Sequence, residues 1–177
     1  MKRLQRILAP VDMTEASRSG LKLAIALAAE NGADLLALHV ANEFQAWQML
    51  DETGFASDRI YRWEVDRLVR ESLLDLNRYL EPAIAEITRL PQFRRRVVLG
   101  DAATKIVDIA HLEESDLIVL SPRPHGALRR LFFGSVTDKV TRAAPCPVLS
   151  ISAIEQSQRP KGKVVPVVGG LLRALEA

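Results

Sequence analysis

Apolar residues along this chain fall into two kinds of segment: short unbroken runs, and longer stretches where they recur every three or four positions. The run Arg6-Ile-Leu-Ala-Pro-Val11 predicts a buried strand. From Thr14 to Glu30, apolar or small residues at Ala16, Leu21, Leu23, Ala24, Ile25, Leu27 and Ala28 predict a helix, stopped at Asn31-Gly32. Ala33 to Val40 predicts a second buried strand, since a nearly continuous apolar run suits a parallel sheet covered on both faces. After a loop at 42–57, Val65, Leu68, Val69, Leu73, Leu76, Tyr79, Leu80, Ile84 and Ile87 mark a long helical stripe. Pro82 lies inside it and predicts a kink, or a break near Leu80. Phe93 to Leu99 predicts a third strand, Asp101 an N-cap for a helix over Ala102–Leu112, and Asp116–Leu120 a fourth strand. A loop at 121–134, a helix from Ser135 to about Arg142, and a fifth strand over Pro145–Ser152 complete the series.

Strands alternating with helices imply right-handed crossovers and a doubly wound, five-stranded parallel α/β sheet in three layers. Ligands of such sheets sit beyond the carboxyl ends of the strands, where the strand order reverses. That directs attention to Pro10-Val11-Asp12 after strand one and to Leu120-Ser121 after strand four.

Composition narrows the setting. With 48% hydrophobic and 26% charged residues, the chain of 177 residues is neither disordered throughout nor a fibrous repeat. A domain of this length buries roughly 70% of its unfolded surface and folds without a metal or disulfide staple. The lone Cys146 excludes an intrachain disulfide, no apolar run reaches a membrane span, and the basic start Met1-Lys2-Arg3 leads straight into a strand. A cytoplasmic setting is the expectation. The net charge of +2 arises after Ser152, where Arg159, Lys161, Lys163 and Arg173 face Glu155 and Glu176. The remaining 20 basic and 20 acidic residues balance, so no nucleic-acid partner is expected. Residues 1–152 are read as one domain. Residues 153–177, with a polar linker and a short apolar stretch broken by Pro166, Gly169 and Gly170, are read as a docking arm or an unstructured end.

Candidate chemistry concentrates in the loop before the last helix. From Leu117 to Thr137 it holds a single acidic position at most distant reach, none in fact between those bounds, while Arg123, His125, Arg129 and Arg130 supply cations. It ends in Gly134-Ser135 at a helix start, where free N–H groups and the helix dipole suit a phosphate. The competing reading is a capping box of Ser135 with Asp138, which needs no ligand. Asp12 is placed to accept hydrogen bonds from a ribose or adenine, or else to serve as a turn or cap before Thr14. His39 reads as a satisfied strand residue and His111 as solvated; His125 is the histidine best placed for a ligand. Trp47 and Trp63 read as cover for an apolar edge, and Cys146 as structural. No metal-ligand spacing and no serine-hydrolase elbow are present.

Ile7-Leu-Ala-Pro-Val-Asp12, Leu38-His-Val40, Gly100-Asp101, Asp116-Leu-Ile-Val119, Gly134-Ser-Val136 and Ala144-Pro-Cys-Pro-Val-Leu149, in that order, resemble a universal stress protein domain over residues 4–152. The resemblance implies an adenine nucleotide alpha hydrolase-like fold and a homodimer formed through the last strand, Val148 to Ser152. It also implies adenosine near Asp12 and Val40, above Pro10 and Val11, with phosphates near Gly134, Ser135 and Val136. The family's phosphate loop has the pattern G-x2-G-x9-G-[ST]. Registered on Gly134-Ser135, its first two glycines fall on Ser121 and Pro124. Proline fixes φ and offers no N–H, so that rim is stiffer and poorer in donors. Gly126, Arg123 and His125 are the replacements at hand.

Two functional readings follow. One is a stress-response protein binding ATP or a related adenine nucleotide as a signal, with or without Mg and with slow hydrolysis at most. Its site is Pro10, Val11, Asp12, Val40, Ser121, Arg123, Gly126, Gly134, Ser135 and Val136. The other is a dimeric interaction protein without nucleotide, in which Pro122 and Pro124 close the cleft.

Overall fold

The computed structural model describes residues 3–42, 58–85, 92–121 and 135–151. Five parallel strands, β1 (Arg6–Pro10), β2 (Asp34–Ala41), β3 (Phe93–Leu99), β4 (Leu117–Leu120) and β5 (Val148–Ser150), form one sheet in the order β3-β2-β1-β4-β5. The helices are α1 (Glu15–Asn31), α2 (Asp58–Ala85), α3 (Ala102–Leu112) and α4 (Ser135–Ala143).

The two-residue period of each strand sorts its side chains between two cores. Ile7, Ala9, Leu35, Ala37 and Val119 pack with Leu21, Ala24 and Ile25 of α1 and Leu76, Tyr79 and Leu80 of α2. Leu8, Leu36, Leu38, Ile118 and Leu120 pack on the opposite face with Ile106, Ile109 and Ala110 of α3 and Val140 of α4. Both faces are covered, which is why these strands read as unbroken apolar runs rather than alternating ones.

Local chemistry sets the element ends. Thr14 caps α1, its side chain accepting from Ser17 N–H, and Gly32 ends the helix at φ 63°. Asp101 caps α3, accepting from Thr104 N–H at 3.0 Å and Thr104 Oγ1 at 2.8 Å. These two hydrogen bonds hold its carboxyl below the usual carboxylate range. Past α3, Glu114 takes a left-handed conformation at φ 47°. Its N–H bonds the His111 carbonyl, and Ser115 N–H bonds that of Ala110.

Two expectations are corrected. Pro82 does not end α2, which runs on to Ala85. The carbonyl that proline deprives of a donor is that of Arg78, in the last two turns, where the loss costs the helix least. The helix also begins at Asp58, well before the apolar stripe. Its early part is polar and carries the pairs Arg67–Glu64 at 2.7 Å and Arg67–Glu71 at 3.4 Å. The fifth strand is shorter than Pro145–Ser152: Pro147 gives only its carbonyl, to Ile118 N–H at 3.0 Å, and regular pairing starts at Val148.

The sheet's two outer strands differ. On β3, Arg94 and Arg96 both reach Glu113, at 2.7 and 2.9 Å, and Arg95 bonds Asn77 at 2.8 Å. β5 carries no charged residue between Val148 and Ser150.

Candidate functional site

The strand order reverses between β1 and β4. Ile7 lies opposite Leu117 and Leu8 opposite Ile118. β1 ends at Pro10 and β4 at Leu120, each two residues past the Leu8–Ile118 pair, so the two strands finish level. β2 does not stop there. Pro10 pairs with Leu38, and β2 continues through Val40, paired with Val98, to Ala41. Gly100 N–H then bonds the Ala41 carbonyl at 3.1 Å. The upper part of β2 and β3 thus forms a wall beside a step floored by Val11-Asp12 and Ser121. The step is the switch-point crevice characteristic of open α/β sheets.

Val11 is buried and its N–H bonds the Leu38 carbonyl at 2.8 Å. Its own carbonyl meets His39 Nδ1 at 2.9 Å, so His39 is a satisfied strand residue as its place suggested. Asp12 Oδ1 accepts both from Thr14 N–H at 3.0 Å and from Thr14 Oγ1 at 2.5 Å. This is an Asx turn that feeds directly into the α1 cap. Met13, inside the turn, sits at φ 60°, a left-handed conformation costly for a side chain of its size.

On the β4 side, Ser121 Oγ is buried without a hydrogen-bond partner among the described residues. Gly20 of α1 lies against it: a Cβ at Gly20 would stand 2.5 Å from Ser121 Oγ and 3.3 Å from its Cβ. The helix therefore approaches the end of β4 as closely as a bare backbone permits. Across the sheet, Val40 and Val136 are half-buried against the α3–α4 core. Ser135 is the first residue of α4. Asp138 does not complete the expected capping box: both its carboxylate oxygens accept from Arg142, at 3.1 Å.

The structure thus brings Pro10, Val11, Asp12, Val40 and Ser121 to one end of the sheet and places Ser135 and Val136 at the start of α4. Arg123, Gly126 and Gly134, together with Pro122, Pro124, His125 and Trp47, lie outside the described residues. His111 is exposed. Trp63 is largely exposed, with the Arg67 guanidinium 5.6 Å from its ring centre. Cys146 is half-buried, and burial pushes its thiol up.

Gly20, Met13 and Tyr79 escaped the sequence reading. The Tyr79 hydroxyl lies 2.8 Å from Ser17 Oγ and donates to the Thr14 carbonyl at 3.1 Å. Only the helical stripe announced Tyr79, as a core residue; its partners are more than 60 positions away. Among the described residues, no group of three or more His, Cys, Asp or Glu is placed to hold a metal ion. No helix among them is long and apolar enough to cross a membrane.

Comparison with known proteins agrees with this architecture. A universal stress protein of Thermus aquaticus is 31% identical over 145 residues, covering 82% of this chain and 96% of that relative. The solved structure of UspA from Lactobacillus plantarum superposes with a TM-score of 0.64 at 24% identity, over 85% of this chain and 99% of that one. A universal stress protein solved in complex with cAMP superposes with a TM-score of 0.55 at 20% identity, over 85% and 98% of the two chains. The model of the universal stress protein family matches residues 3–152. With the five-stranded parallel sheet in place and the match spanning all of it, the chain belongs to the universal stress protein family.

Proposed function

We propose that this protein is a cytoplasmic stress-response protein that binds ATP or a related adenine nucleotide as a signal, at the step between β1 and β4. The observation that carries the reading is the level finish of these two strands at the switch point, with Asp12 on one and Ser121 on the other. Adenosine would lie against Asp12 and the β2 wall at Val40, above Pro10 and Val11. The phosphates would face Ser121 and the start of α4 at Ser135 and Val136, where the helix dipole favours an anion. Arg123, Gly126 and Gly134 belong to the same proposed phosphate side. Mg accompanies the phosphates only as their counter-ion, and hydrolysis is slow at most. The cAMP carried by one structural relative supports an adenine ligand for this fold. In this reading two copies pair through the last strand, Val148 to Ser152, and residues 153–177 form an appended arm.

A second reading, a nucleotide-free dimeric scaffold, draws on one observation: Asp12 Oδ1 already takes two hydrogen bonds from Thr14 with no ligand present. Thermal melting separates the two. ATP, ADP or AMP at a hundredfold excess over its dissociation constant should stabilise the fold by about 2.7 kcal/mol. Unchanged melting with all three, and no nucleotide released from purified protein in mass spectrometry, establishes the scaffold instead.

A further inference from the structure

The turn that presents Asp12 is held from outside its own segment. Met13 occupies a left-handed conformation at φ 60°, and such a turn persists only where its surroundings over-determine it. Thr14 supplies the first constraint, through its two hydrogen bonds to Asp12 Oδ1. The next comes from Ser17, whose Oγ donates to the Thr14 carbonyl at 2.9 Å. The last comes from α2. The Tyr79 hydroxyl meets Ser17 Oγ at 2.8 Å and the Thr14 carbonyl at 3.1 Å. Whichever way the two hydroxyl protons are ordered, the Thr14 carbonyl keeps a donor.

Tyr79 is itself fixed. It is 7% exposed and shares a core with Val11 and Met13. The Arg18 guanidinium lies 4.5 Å from its ring centre and donates to its carbonyl at 3.2 Å. Burial pushes its acidity down, so the phenol keeps its proton and stays a donor at neutral pH. The hydroxyl is thus a preset brace, reaching from the second helix to the turn after the first strand.

We propose that Tyr79 is a positioning residue of the nucleotide site, its hydroxyl holding the Asp12-Met13-Thr14 turn in the conformation that presents Asp12 to the ligand. The proposal rests on Asp12 being the adenosine-side residue. It makes α2 part of the site without any contact between Tyr79 and nucleotide.

Tyr79→Phe keeps the ring and removes only the hydroxyl. Titration calorimetry with ATP should show binding weakened about tenfold, the worth of one well-placed hydrogen bond. Amide hydrogen exchange should quicken at Thr14 and Ser17 while Leu36 in β2 stays as protected as in the parent. In an Asp12→Asn background the same change should cost no further affinity, because the brace would have nothing left to present. Ser17→Ala, which leaves the Tyr79–Thr14 bond in place, should give a smaller loss of the same sign. Unchanged ATP affinity, losses that add in the double variant, or exchange that rises equally at Leu36 would overturn the proposal. If the parent protein binds no ATP, the nucleotide reading fails on its own. Exchange at Thr14 and Ser17 then decides whether Tyr79 holds the turn at all, and unchanged exchange there refutes the brace.

Discussion

Gly20 and Ser121 meet so closely that a single methyl group on the first would stand 2.5 Å from the hydroxyl oxygen of the second. Mid-helix, alanine normally outperforms glycine by about 1 kcal/mol. Here overpacking, which typically costs about 1–3 kcal/mol, outweighs that gain. Gly20→Ala should therefore destabilise the protein, measured by urea unfolding, by about 1 kcal/mol net. Ser121→Gly removes both clashing atoms, so in that background Gly20→Ala should become neutral or stabilising. Equal effects in the two backgrounds would show that the contact does not set the helix position.

The Asp101 cap gives a pH signature. Its carboxyl titrates below the usual range because Thr104 bonds the charged form. A depressed folded-state value means the cap's contribution is fully present above the unfolded value of about 3.9. It is lost as pH falls through the lower folded value. Asp101→Ala should cost about 1 kcal/mol at pH 7, and the gap between parent and variant should narrow on going to pH 3. Urea melts at both pH values measure it; a gap of constant size would assign the cap's worth to something other than the charge.

Two helices end on a left-handed residue, and only one uses glycine. Gly32 closes α1 at φ 63°, while Glu114 follows α3 at φ 47°. Glu114 has an exposed side chain paired with Arg6 at 2.8 Å, an interaction worth little in water. Glu114→Gly should raise stability by about 0.5–1 kcal/mol, the relief of backbone strain exceeding the entropy glycine loses on folding. Thermal melting that falls instead would show that the Arg6 pair matters more than the strain.

The proposed pairing through β5 is open to a one-residue test. Leu120 pairs with Ser150, and Ile151 N–H turns inward to the Leu120 carbonyl at 2.8 Å. The N–H of Ser150 therefore faces outward, since alternate residues of a parallel strand bond to opposite sides. Ser150→Pro removes that donor on the outer side alone and is tolerated on an edge strand. Sedimentation should show a monomer with an unchanged circular dichroism spectrum; a dimer of unaltered mass would place the interface elsewhere.

The order of elements was legible because each strand buries both faces and so betrays itself as an unbroken apolar run. Leu8 and Leu38, both fully buried, are typical. The early part of α2 was not legible: its polar residues are sustained by neighbours such as Glu64 and Arg67, which leave no apolar stripe. The short β5 was hidden for the opposite reason, apolar residues continuing where proline stops the pairing. At the site, the chain position of Asp12 and Ser121 follows from strand ends and is readable. The brace from Tyr79 and the tolerance at Gly20 arise from residues far apart in sequence, which local patterns do not encode.

The contrast between the sheet's margins limits how far assembly can proceed. Three arginines guard β3, tied to Glu113 and Asn77, whereas β5 offers bare backbone. A copy joined through β5 has used its one welcoming margin and turns only guanidinium groups outward. Growth ends at two, and the strand-rich core that would otherwise seed a ribbon stays out of reach of a third molecule.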